Sequence, residues 1–339
     1  MDRCTSKERT IACCIAAVML VGSVAIAADS PPRVRRPIPR PEPRPAPFEL
    51  LEPRTPISKL PFVVEEPGSY YVTRNLRGRA ELNGIVILAK GDVKIDLNGF
   101  TLMGGEGTGH GIVQEESAAG GGGNWIFVHN GNIRGWGGDG IKLLANGDVR
   151  DVWVAENGEC GIDLGPGPIL INSMCVGNGV HGIMVGADSM LRSATGVKSG
   201  HNGIVAGAGS HLNECMAVGN GHDGIIAGPH STVMHSSSSR NKRNGYLGSE
   251  GGAFNDCLAS ENEGDGFQFV SAAFMEETVD IPIGLRAQAE TDGLIVSDCR
   301  SIRNGGTGYL LLPAVQKVRE AAGAQVDPEQ EPPPLYAVL

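Results

Sequence analysis

What this chain has little of narrows its reading first. Aromatic residues make up only 5% of 339 residues, and the formal net charge is -10. No basic stretch interleaved with aromatics appears in the repeated region, so general nucleic-acid binding, which needs a basic face, is disfavoured. No segment sustains a 3.6-residue apolar period, so helices are not the repeating unit. Three of the eight cysteines, Cys4, Cys13 and Cys14, fall in the N-terminal apolar segment. The other five, Cys160, Cys175, Cys215, Cys257 and Cys299, show no close pairs and no C-x-x-C spacing. That is a poor disulfide framework and not a zinc pattern.

What the chain has in excess is glycine, 50 residues, and much of it is periodic. The second glycine of Asn220-Gly221-His222-Asp223-Gly224-Ile225 serves as a phase mark. It recurs at Gly140, Gly161, Gly182, Gly203, Gly224, Gly245 and Gly266, a step of 21 residues each time. The next clear copy ends at Gly308, two steps on. A period of this size means a repeat architecture. Each unit of such an array packs only on its neighbours, so a long chain needs no single oversized core.

The repeat resolves into columns. One residue past the phase glycine stand Ile141, Ile162, Ile183, Ile204, Ile225, Tyr246 and Phe267. Nine past stand Val149, Leu170, Leu191, Leu212, Val233 and Phe254. Twelve and fourteen past are small residues such as Cys215 and Ala217. Alternation in twos, broken by turns, gives three short strands per repeat. The expected fold class is therefore all-β: a solenoid with three strands per coil and about 21 residues per coil, neighbouring coils pairing as parallel strands ~4.8 Å apart. Four residues before the phase glycine runs Asn157, Asn178, Ser199, Asn220, Asn241, Asn262 and Asn304. This column reads as structural, because Asn caps its own turn and stacked amides can bond from coil to coil.

Repeated Asn-Gly-x-x-Gly-Ile coils, an asparagine ladder and inward aliphatic stacks resemble the right-handed parallel β-helix of the pectin-lyase-like superfamily. The resemblance covers about Gly84 to Leu312. It is specific for fold. It implies a range of activities, since that superfamily includes polysaccharide lyases, glycoside hydrolases, epimerases and non-catalytic surface proteins. Gly109-His110-Gly111 is similar to the Gly-His-Gly of polygalacturonase-like hydrolases. The paired aspartates and Arg-Ile-Lys partner of those enzymes have no matching positions, so no role is carried over.

Around the array the chain divides as follows. Residues 1–27 read as a signal peptide: Arg3, Lys7 and Arg9, then the apolar run Ile11 to Val24, then Ala25-Ile26-Ala27. No membrane span is expected once it is removed. Residues 28–61 read as a Pro/Arg-rich extended linker. The β-helix domain is expected over 62–312, opened by Phe62 to Leu76 as a closing end, with Val93 to Leu102 as one strand. Loops are expected near 104–124 and 271–292. A C-terminal helix and tail follow at 313–339.

Three groups of residues could carry chemistry. The first is an outer bend column in which Glu214, His235 and Asp256 follow one another on successive coils, a histidine between two carboxylates suited to acid–base work. The second lies just before the phase glycines: His201, His222 and Arg243 in one column, with Asp223 and Asp265 in the next, types suited to substrate binding. Turn polarity accounts for both groups equally well. The third is an aliphatic stripe, Val205, Ile226 and Leu247, two past the phase glycine. It implies either self-association or cover by the loop near 271–292. The functional expectation is an exported protein, periplasmic, cell-surface or secreted, that binds polysaccharide or a cell-wall polymer without catalysis. The alternative is a lyase, hydrolase or epimerase acting on uronate-type polymers. No cofactor is expected, calcium entering only with lyase chemistry, and no metal site is assigned.

Overall fold

The computed structural model describes residues 53–115, 124–144, 146–270 and 294–306. The expected signal peptide, most of the linker, the stretch 271–292 and the tail 313–339 lie outside the described residues. Within them every regular element is a strand. A representative coil consists of Ile204–Ala206, His211–Asn213 and Met216–Val218. The first strands of successive coils build a ten-stranded sheet. The second and third strands build a nineteen-stranded sheet, fused because Ile126–Arg134 and Gly147–Ala155 each run through the bend between them. The result is a parallel β-helix of ten coils.

Register follows the repeat. Ile162 pairs with Ile183, Ile183 with Ile204 and Ile204 with Ile225, all fully buried. Like side chains therefore stack on like side chains down the interior. Near the C-terminal end the aliphatic column turns aromatic, and the Tyr246 and Phe267 rings lie parallel with centroids 4.7 Å apart. Three bends close each coil, and each holds a residue in the left-handed region. Between the second and third strands these are Asp151, Asn172, Ser193, Glu214, His235, Asp256 and Asp298, with φ between 49° and 56°. Asn and Asp adopt this region with least cost.

The asparagine column is a buried ladder. The Asn220 side-chain amide donates to Asn241 Oδ1 at 2.9 Å, Asn241 to Asn262 at 2.9 Å, and Asn262 to Asn304 at 2.9 Å. The backbone N–H of Asn220 also donates to Asn241 Oδ1, at 3.0 Å. The phase glycine exists to admit this ladder. A Cβ on Gly224 would meet Asn241 Nδ2 at 2.6 Å and the Gly245 carbonyl at 2.7 Å.

A second ladder, not announced by any constant residue, runs one position before the phase glycine. Asn83 Oδ1 accepts from the His110 N–H at 2.8 Å, His110 Nδ1 from the Asp139 N–H at 2.9 Å, and Asp139 Oδ1 from the Cys160 N–H at 2.8 Å. Farther on, Asn202 accepts from Asp223, Asp223 from Asn244, and Asn244 from Asp265, at 2.9, 3.0 and 2.9 Å. This position demands only a short acceptor, so its residue type varies.

Several expectations change. The array begins inside the expected linker: Arg54–Ile57 is a strand paired with Gly68–Val72. It is an edge, where proline is tolerated, and Arg54 is tied to Asp96 at 2.6 Å. The single strand expected over Val93 to Leu102 is two, Val93–Asp96 and Thr101–Met103, broken where Asn98 and Gly99 take positive φ. The loop expected over 104–124 contains a coil strand, Ile112–Gln114, paired to Ile85–Ile87 and to Ile141–Leu143. Gly84 and Gly111 are thus phase glycines too, hidden because their spacings exceed 21. The apparent double step near the end is one coil. Ile295–Ser297 pairs with Ala253–Asn255, and Asn304 sits directly on Asn262. Finally, in the stripe Val205, Ile226 and Leu247, only Val205 is partly exposed. Ile226 is 8% and Leu247 0% exposed, and both pack with Val270 as a second small core.

Candidate functional site

Glu214, His235 and Asp256 occupy the left-handed bend between the second and third strands, on successive coils. All three are exposed. Glu214 turns toward the preceding coil, accepting from Ser193 Oγ at 3.1 Å and lying 3.6 Å from Arg192. His235 Nδ1 sits 3.0 Å from Asn213 Oδ1. No hydrogen bond or ion pair joins the three to one another among the described residues. They share a column without sharing a contact.

The second sequence-derived group separates by depth. Asp223 is 1% exposed and is a rung of the second ladder, its Oδ1 also accepting from Asn244 Nδ2 at 2.8 Å. Asp265 donates its backbone N–H to the same ladder. His201 and His222 are half-buried, and their rings stack with centroids 4.7 Å apart and planes 10° from parallel. Arg243 follows on the next coil and is half-buried.

A compact charged cluster lies toward the N-terminal end of the ten-stranded sheet, and no sequence motif singled it out. Lys142, from the strand Ile141–Leu143, reaches Asp139 Oδ2 at 3.3 Å and Asp163 Oδ2 at 3.1 Å. His110 Nδ1 lies 3.3 Å from Asp139 Oδ2. As a neutral ring it accepts the Asp139 backbone N–H. As a cation it donates to the carboxylate. Asp139 is buried at 2%, so His110, Lys142 and Asp163 are the groups a ligand would meet. Burial pushes the Asp139 carboxyl up, but the His110 bond, the Cys160 amide and the Lys142 charge outweigh it and hold the carboxyl below its ordinary value. Burial dominates at Asp163 and raises its carboxyl despite Lys142. Lys142 is itself raised, the two carboxylates overcoming its burial. One lysine thus separates two carboxyls whose proton affinities are pushed apart, the pattern that assigns acid and base roles. His110, Asp139 and Glu159 also bring candidate ligand atoms within 4.8 Å of one another. Lys142 already occupies Asp139 there, so a cation would displace an ammonium. The signal available in the sequence was Gly109-His110-Gly111, read with the correct phase.

A second feature missed by sequence lies on the outer side of the nineteen-stranded sheet. Trp125, just before the strand Ile126–Arg134, and Phe127 within it have rings 6.2 Å apart and 28° from parallel. Both are half-buried. Phe127 lies between Lys94 on one neighbouring strand and Asp148 on the other. His129, two residues on, lies between Asp96 and Arg150. Arg150 clasps Asp148 at 2.7 Å, and His129 lies 3.7 Å from Asp96. Arg54 sits 5.1 Å over the Tyr71 ring on the same side. The low aromatic content hides a local concentration.

No family model and no curated protein matches the chain. Solved structures do. The A-module of the mannuronan C-5 epimerase AlgE4 of Azotobacter vinelandii is 14% identical with a TM-score of 0.50, over 76% of this chain and 87% of that one. The periplasmic alginate epimerase AlgG is 14% identical with a TM-score of 0.49, over 74% and 76%. The Dettilon tailspike protein is 10% identical with a TM-score of 0.40, over 73% and 63%. What this chain shares with the AlgE4 A-module at such identity is the fold alone.

Proposed function

We propose that this protein binds a polysaccharide across the outer face of its N-terminal coils. The observation that carries the reading is the Trp125–Phe127 pair. Two half-exposed rings form a strip on a rigid sheet, bordered by Lys94, Asp148, Arg150 and His129. Apolar faces of sugar rings stack on such surfaces, and Lys94, Arg150 and His129 offer polar groups to hydroxyls, while Asp148, buried at 5%, holds Arg150 in place. The A-module that shares the fold is titled a mannuronan C-5 epimerase, which agrees with a polysaccharide partner. The test is electrophoresis through gels containing neutral or acidic polysaccharides. A binding polymer retards the wild type. The double variant Trp125→Ala, Phe127→Ala should bind roughly tenfold more weakly, the loss of about 1.4 kcal/mol of stacking. Equal retardation of both proteins refutes the platform.

A second reading is favoured by the split carboxyls around Lys142. In it, Lys142 pairs with the carboxylate of a uronate unit, His110 removes the proton beside that carboxylate, and Asp163 holds a proton for return. His201, His222 and Arg243 lengthen the track on later coils. Proton exchange at the uronate carbon, followed by nuclear magnetic resonance in deuterated water, tests this. Exchange that Lys142→Met abolishes supports catalysis, and a polymer left unchanged by wild type leaves binding alone.

A further inference from the structure

The corrected register of the last two coils brings together two cysteines that sequence keeps apart. Cys257 and Cys299 are separated by 42 residues. The residues on either side of them are paired, Asn255 with Ser297 and Leu258 with Arg300, and the Arg300 N–H donates to the Cys257 carbonyl at 2.8 Å. The two cysteines therefore occupy the same position on adjacent coils. Both face the interior, at 2% and 1% exposure. Adjacent parallel strands are ~4.8 Å apart, inside the ~4.4–6.8 Å between Cα atoms that a disulfide bridges.

We propose that Cys257 and Cys299 are a covalent modification site, closing to a disulfide that locks the terminal coil onto the array across that 42-residue step. The other cysteines have no such stacked partner. Cys175 lies between Val154 and Gly196 in register. Cys215 receives the Ser236 hydroxyl as its neighbour, its N–H donating to Ser236 Oγ at 3.1 Å.

The chemistry needs an external disulfide, such as oxidised glutathione. The Cys257 thiolate attacks one glutathione sulfur and expels the other half as a thiolate. The Cys299 thiolate then attacks the Cys257 sulfur of the mixed disulfide and expels the second glutathione. The two protons lost by the protein thiols are taken up by the two expelled glutathione thiolates, so two protein thiols are oxidised and one glutathione disulfide is reduced to two thiols. The same exchange balances with Cys299 attacking first, because the two thiols form one hydrogen-bonded pair. Both sulfurs face the interior at 2% and 1% exposure, so the exchange proceeds through local opening of the coil. An oxidising compartment, expected from the signal-like N-terminus, is where such a bond persists.

The test uses the full chain, equilibrated in a series of reduced and oxidised glutathione mixtures, acid-quenched, alkylated and mapped by mass spectrometry. Two thiols should disappear together, with a linked peptide pair containing Cys257 and Cys299. Cys299→Ser should abolish the link and Cys215→Ser should keep it. The urea midpoint should rise on oxidation in wild type and stay fixed in Cys299→Ser. Full alkylation of both cysteines in the oxidised mixtures overturns the proposal. So does a link between Cys257 and any other cysteine, or between Cys160 and Cys175 alone.

Discussion

Removing one rung of the asparagine ladder should cost this fold a large part of its stability. Asn241 is completely buried. Its Oδ1 accepts from both the backbone N–H and the side-chain amide of Asn220, at 3.0 and 2.9 Å. Its own amide donates to Asn262 Oδ1 at 2.9 Å and to Ser238 Oγ at 3.0 Å. In Asn241→Ala the Asn262 oxygen keeps the backbone N–H of residue 241, so it remains satisfied. The Asn220 backbone N–H does not, and the Asn220 amide keeps only the Gly196 carbonyl, at 3.1 Å, with Asn220 itself fully buried. Each orphaned buried donor costs ~1–3 kcal/mol, so the variant should lose about 4 kcal/mol, near the upper end for a single substitution. A loss of that size lowers the melting temperature by roughly 8–16 °C for a domain of this class. Urea unfolding followed by circular dichroism and by tryptophan fluorescence measures it, and coincidence of the two curves checks two-state behaviour. A loss below ~1 kcal/mol would show that water reaches the ladder or that the coil shifts to re-pair Asn220, and the argument from buried donors would fail.

Three further outcomes follow from the same geometry. Ser199 interrupts the ladder, and its buried hydroxyl has no hydrogen-bond partner among the described residues; Ser199→Asn should raise stability by about 1 kcal/mol in urea titration. Gly84 lies under Trp136, where an added Cβ would meet the indole at 2.6 Å; Gly84→Ala should cost ~1–3 kcal/mol by overpacking, read by thermal unfolding and by near-ultraviolet dichroism of the buried indole. The Asp139 carboxyl is held below its ordinary value of 3.8, so its contribution is full above that value and is lost as the pH falls through the lower, folded one. Asp139→Asn should therefore flatten the acid limb of the stability curve while leaving the Cys160 N–H its acceptor.

The fold was legible wherever one position demanded one residue type. Glycine at the phase mark, isoleucine inside and asparagine on the ladder each have a single steric or hydrogen-bonding solution, so their columns stand out at a fixed period. The second ladder was illegible because several residue types serve it, Asn83, His110, Asp139 and Asn202 offering no constant identity to align. The early coils were obscured because Gly84 and Gly111 are spaced more widely than 21 residues, and that hid Ile112–Gln114 inside an apparent loop. The same error concealed the charged cluster, since His110 and Asp139 become neighbours only once Gly111 and Gly140 are seen as consecutive phase marks. The bend column of Glu214, His235 and Asp256 falls on successive coils with left-handed backbone and exposed side chains, and no mutual contact joins the three among the described residues. Leu247 and Ile226 alternate as outward residues should, and a second layer of packing from Val270 removed them from the surface.

The most direct test of polysaccharide binding uses the tryptophans as reporters. Trp136 is 1% exposed, Trp153 is 37% exposed, and Trp125 lies half-buried on the proposed platform. Titrating a polysaccharide that retards the protein in gels should shift the fluorescence to shorter wavelength as a sugar ring covers Trp125. Trp125→Phe should remove the shift and Trp153→Phe should keep it. A shift that survives Trp125→Phe and vanishes in Trp153→Phe would place the ligand on another face and contradict the assignment.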